Sequence, residues 1–144
     1  YEAQLKSTAA QIAERLPGHA WQMAYQSRSG PPSQPWLGPD ICDALRALAE
    51  RGQRQVVIAP IGFLSDHLEV LYDLDVEARA VTDELDMTMA RAATVGTHPR
   101  FVSMIRELIL ERIKPNAPRR AIGELPPVDD ICPADCCLLG GRNG

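Results

Sequence analysis

The chain has 144 residues, a formal net charge of -4, and 45% apolar against 24% charged residues, which is the mixture expected of one globular core. An acidic chain without interleaved aromatic and basic residues excludes a nucleic-acid partner. No apolar run approaches the roughly 18 residues that cross a bilayer, and no cleavable leader is evident. The expectation is therefore a cytoplasmic protein without a transmembrane segment, leaving open only a peripheral membrane contact.

Taken in chain order, Leu5, Ala9, Ile12, Ala13 and Leu16 recur at helical spacing, and Pro17-Gly18 stops that helix. Trp21 to Gln26 reads as a short strand. The run from Ser29 to Pro35 is a loop, because its prolines lack the amide donor and fix φ. Pro39 opens a second helix with Ile41, Leu45 and Leu48 on its buried face, and Gly52 closes it.

Gln55 to Ala59 is a continuous apolar run of strand length, the kind buried on both faces of a parallel sheet. A helix then carries Glu69, Asp73 and Glu77, and Met87 to Ala93 is a weaker strand. Phe101, Ile105, Leu108 and Ile109 mark a last helix ending near Lys114. This alternation predicts an α/β fold, a Rossmann-like doubly wound parallel sheet flanked by helices. Ligands of such sheets gather at the carboxyl ends of the strands, where the loop after Gln26 and the turn Pro60-Ile61-Gly62-Phe63 both fall.

Glu69, Asp73 and Glu77 are the residues with chemistry in them. Four-residue spacing stacks them on one side of a helix as a ladder roughly 12 Å long, able to pass cations or protons along. His67 adds a nitrogen donor, and mixed oxygen and nitrogen ligands suit a borderline metal such as ferrous iron. A plainer reading stands beside this: Asp66 and Glu69 also fit a capping box, and an acidic stripe is often only a wetted face.

The whole stretch from Ala59 to Glu77 resembles the ferrochelatase signature, in which a strand end leads into the helix bearing the catalytic acid. Tyr25-Gln26-Ser27-Arg28, followed by Pro35-Trp36-Leu37-Gly38-Pro39, resembles the same family's porphyrin-side strand and loop. The likeness covers most of residues 1–114 and corresponds to the C-terminal one of the family's two similar α/β halves. It implies a lyase of heme biosynthesis that inserts ferrous iron into a porphyrin, coproporphyrin III or protoporphyrin IX. It also implies a need for the N-terminal half, and the chain opens directly into a helix, as a piece of a longer protein does.

By the same resemblance Glu69 is the catalytic acid facing the macrocycle and His67 supports it. Glu69, Asp73 and Glu77 line the metal path, on a helix widened to a π turn, and Tyr25, Ser27 and Arg28 contact the porphyrin. The family's metal-binding histidine belongs to the other half, and none of His19, His67 or His98 takes its place.

From Pro115 the composition turns to prolines, glycines and charges, which separates a domain over 1–114 from an irregular extension over 115–144. Cys132, Cys136 and Cys137 lie within six residues and read as soft-metal ligands in a reducing compartment. Some ferrochelatases carry a 2Fe-2S cluster in such an extension, so the resemblance implies one here. It needs four ligands, and the fourth is either Cys42 or a cysteine of the other half. Two alternatives to the chelatase reading remain: a non-catalytic porphyrin or iron-sulfur binding module, and a cobalt or nickel tetrapyrrole chelatase.

Overall fold

A computed structural model describes residues 2–26, 31, 33, 36–127 and 130–132. Two helices precede the sheet, α1 (Glu2–Glu14) and α2 (Ile41–Glu50). Strand β1 (Gln55–Ile58) leads into a continuous helical run made of α3 (Leu68–Val70), a π-helical segment (Leu71–Ala78) and α4 (Arg79–Glu84). Strand β2 (Thr88–Arg91) and the long helix α5 (Pro99–Ile113) follow.

β1 and β2 pair in parallel, with Val56 opposite Met89 and Ile58 opposite Arg91. Parallel neighbours need a crossover, and the α3–π–α4 run supplies it. Its buried row is Val70, Leu74, Ala78 and Val81, which packs with Leu45 of α2, Ile58 and Met89 to form the core. Thr82 is fully buried and satisfied, its hydroxyl donating to the Arg79 carbonyl oxygen at 2.8 Å.

The α2 start is set by Asp40, whose side chain accepts from the Cys42 amide at 2.8 Å. Pro39 thus stands outside the helix. At the other end Gly52 has φ +80, a left-handed conformation that favours glycine. Helix α5 begins with Pro99 in the first turn and with His98 Nδ1 accepting from the Arg100 amide.

Two expectations need correction. Trp21 to Gln26 forms no strand, only a single bridge between Tyr25 and Asp40. The Tyr25 amide donates to the Pro39 carbonyl and the Ile41 amide donates to the Tyr25 carbonyl, at 2.9 and 2.8 Å, and among the described residues the ladder extends no further. Nor is β1 buried on both faces, because Val57 is 73% exposed. Helices cover one face of this two-stranded sheet, so alternate residues of the apolar run stay open to water. Among the described residues the sheet is α/β and parallel, without the further strands of a doubly wound layer.

The segment after α5 lies along α1. Gln11 Nε2 donates to the Ile122 carbonyl at 3.5 Å, and an open groove of about 370 Å³ runs between α1 and residues 120–127. A β-carbon at Gly123, where φ is +83, would sit 2.5 Å from Gln11 Nε2. Glycine therefore permits this close approach.

Candidate functional site

The helix that carries the acids begins one residue later than a capping box would have it. His67, not Asp66, is the N-cap: its Nδ1 accepts from the Val70 amide at 3.4 Å, and its ring stands edge-on to Phe63 with centroids 5.2 Å apart. Accepting at Nδ1 leaves Nε2 as the nitrogen bearing hydrogen on neutral His67. Asp66 is drawn aside by Arg91, whose Nη1 lies 3.1 Å from its carboxylate. Glu69 is thereby released from capping and sits exposed in the first turn, holding no hydrogen bond or ion pair among the described residues. A carboxylate there is favoured by the positive end of the helix.

Beyond Glu69 the helix widens. The π segment spans the eight residues Leu71–Ala78, bringing Asp73 and Glu77 inside it. With about 4.4 residues per turn a four-residue repeat stays closer to a straight line than in an α-helix, so the widened turn keeps the three acids on one side. They sit next to the buried row of Val70, Leu74 and Ala78, one position earlier in each case. On their other side lies an exposed apolar row, Leu68, Tyr72 and Val76, with Leu68 at 83% exposure.

The Tyr25 segment reaches this helix through the bridge to Asp40. Gln26 Nε2 donates to Asp73 Oδ2 at 3.4 Å, so the sequence blocks around residues 25 and 69 meet although far apart in the chain. Tyr25 itself donates from its hydroxyl to Glu2 of α1 at 3.3 Å. Glu77 lies toward α2 and is one of the carboxylates acting on Cys42. Burial first, and then Asp40, push the half-buried Cys42 thiol above its usual range, with Glu77 and Asp43 adding to the shift. A cluster ligand must be a thiolate, so this surrounding counts against Cys42 in that role.

Ser27, Arg28, Cys136 and Cys137 lie outside the described residues, and Cys132 is exposed. Among the described residues no group of three or more His, Cys, Asp or Glu side chains is arranged to hold a metal ion. The donor set that a 2Fe-2S cluster needs is therefore not assembled from them. No helix among the described residues is long and apolar enough to cross a membrane.

Sequence reasoning missed Gln26 and Arg91. The signal for Arg91 was present, since the five acids between Asp66 and Glu77 have no Lys or Arg among them and call for a cation from elsewhere. Arg91 also grips Asp75 through two bonds, 2.7 Å from Nε to Oδ1 and 2.9 Å from Nη2 to Oδ2. Those carboxylates push the Arg91 pKa above its ordinary value, the hydrogen bonds that Arg91 donates to Asp75 first.

The chain is similar in sequence to known proteins. A ferrochelatase of Rhodopirellula baltica is 49% identical over 143 residues, covering 99% of this chain and 41% of the relative. Coproporphyrin III ferrochelatases of Streptomyces griseus and Frankia alni are 51% and 49% identical, over 83% and 96% of this chain and 33% and 37% of theirs. The chain thus spans 33% to 41% of the length of these relatives. The ferrochelatase family model matches residues 1–113, which contain the π-widened helix, its three acids and the Tyr25 segment, and the chain belongs to the ferrochelatase family.

Proposed function

We propose that this chain is part of an enzyme inserting ferrous iron into a porphyrin, with coproporphyrin III as the substrate favoured by the names of the Streptomyces and Frankia relatives. The observation that carries this reading is the row Glu69, Asp73 and Glu77 on a π-widened helix, met at Asp73 by the segment holding Tyr25. Metal insertion requires that the macrocycle be gripped, that two pyrrole protons be accepted, and that the ion arrive partly dehydrated. Glu69, exposed and uncommitted, takes the pyrrole protons or delivers the ion at the macrocycle; Asp73 and Glu77 extend its path. His67 supports Glu69 by fixing the helix start, with Tyr25, Ser27 and Arg28 on the porphyrin.

The exposed row Leu68, Tyr72 and Val76 and the open face at Val57 support a second part of the same enzyme covering them, the N-terminal half. In that assembly the parallel pair extends to a doubly wound sheet, residues 1–114 form one α/β domain, and 115–144 form an extension. A 2Fe-2S cluster on Cys132, Cys136 and Cys137 belongs to this reading. Cys42 as its fourth ligand would have to ionise against burial and three nearby carboxylates. The cytoplasm, which keeps thiols reduced, is the compartment that suits it.

The test is metal insertion by the full-length enzyme, followed as loss of free-porphyrin fluorescence. Glu69→Gln keeps the shape and removes the charge. It should lower kcat by about 10²- to 10⁴-fold, the usual contribution of a positioned acid–base group, with porphyrin affinity nearly unchanged. Weakened porphyrin binding with normal turnover of what binds would refute the role of Glu69.

A further inference from the structure

Arg91 sorts the five carboxylates of the acid-bearing stretch into two kinds. Asp66, Glu69, Asp73, Asp75 and Glu77 lie within twelve residues without a Lys or Arg between them. Like charges at helical spacing repel, so the stretch needs compensation from outside. Arg91, at the end of β2 and with its side chain only 14% exposed, gives two bonds to Asp75 and one to Asp66, at 2.7, 2.9 and 3.1 Å. Glu69, Asp73 and Glu77 are not among its partners.

The two anchors stand at informative places. Asp66 immediately precedes the N-cap His67, and Asp75 lies inside the π segment. Residues two apart on a helix face different sides, so Asp75 turns toward β2 while Asp73 and Glu77 turn away from it. A planar guanidinium bonded through two nitrogens fixes direction as well as distance, which a lysine ammonium does not. One turn further on, Arg79 Nη1 donates to the Met89 carbonyl at 2.9 Å and ties the end of the π segment to the same strand.

We propose that Arg91 is a positioning residue for the row of acids: by holding Asp66 before the helix and Asp75 within the widened turn, it sets where Glu69 stands between them. The proposal rests on the metal-insertion reading above. Asp66 and Asp75 are then the carboxylates that hold the helix in place, and Glu69, Asp73 and Glu77 those that meet the ion or the protons.

The experiment uses the full-length enzyme with Arg91→Met, Arg91→Lys, Asp75→Asn and Asp66→Asn. Steady-state constants for iron and porphyrin are measured together with amide hydrogen exchange over residues 68–78, below each variant's melting temperature. Arg91→Met should lower kcat by about 10- to 100-fold, as ångström-scale misplacement does, with porphyrin KM unchanged and exchange faster over 68–78 but not in α2. Arg91→Lys should fall between Arg91→Met and the parent, and Asp75→Asn combined with Arg91→Met should be no worse than Arg91→Met alone.

A lower melting temperature with parental kcat in Arg91→Met overturns the proposal, because the residue then only holds the fold. If Arg91→Met does not fold, Asp66→Asn and Arg91→Lys decide in the same way, since each keeps part of the clamp. Absence of metal insertion in the parent defeats the functional reading instead, whereas the exchange data still report whether Arg91 fixes the π segment.

Discussion

At the scale of single residues, the same chemical group does opposite work according to its partner. Asp66 and Glu69 are three residues apart, yet Arg91 takes Asp66 while Glu69 stays open to solvent. Cys42 is placed by packing, and its raised pKa has a sign that can be worked through. A folded-state value above the unfolded one contributes stability that is intact below the ordinary thiol range. It is lost as pH rises through the folded value. Alkylation of Cys42 in the native protein should accordingly need a higher pH than alkylation in denaturant, and a matching pH profile in both states would contradict this. Leu45 is 1% exposed at the centre of the core, and Leu45→Ala should cost about 2–5 kcal/mol in urea unfolding of the full-length protein.

At the scale of elements, the strongest sequence signals were the periodic ones. Apolar spacing, with punctuation by Pro17-Gly18 and Gly52, located all three long helices to within a few residues, because those signals are local. Trp21 to Gln26 failed as a strand because pairing is a property of two segments, and its partner offers one residue. The N-cap at Asp40 was likewise hidden behind the louder Pro39. Asp40→Ala should therefore destabilise by about 1 kcal/mol, read as a lower urea midpoint with unchanged slope. The π segment came from family resemblance and is present; four-residue spacing of acids alone fits an α-helix equally well.

At the scale of the whole molecule, the exposed apolar residues carry the argument. Val57, Leu68, Tyr72 and Val76 are each more than half exposed, on the open sheet face and beside the acids. On the metal-insertion reading, a face left open to water cannot enclose a macrocycle, so the 144-residue chain by itself should show no metal insertion. Mixing it with the remainder of the enzyme should restore turnover, and turnover by the isolated chain would show that the second half is dispensable. For the extension, Cys136→Ser in the full-length protein should abolish the visible absorption of a cluster; unchanged colour would rule out that ligand. Arg112 and Arg119 both pair with Asp130, which ties residues just before the cysteines back to α5.

The amino-acid order alone determined the helices, the two sheet strands and the row of acids, because each is written in spacing along the chain, and the family showed in the likeness of whole stretches to a known signature. The meeting of Gln26 with Asp73, the choice of His67 as cap and the grip of Arg91 on two of five carboxylates were decided only by the tertiary structure. These contacts join residues as many as 47 positions apart, and no local pattern specifies which of several equivalent acids a distant guanidinium will reach.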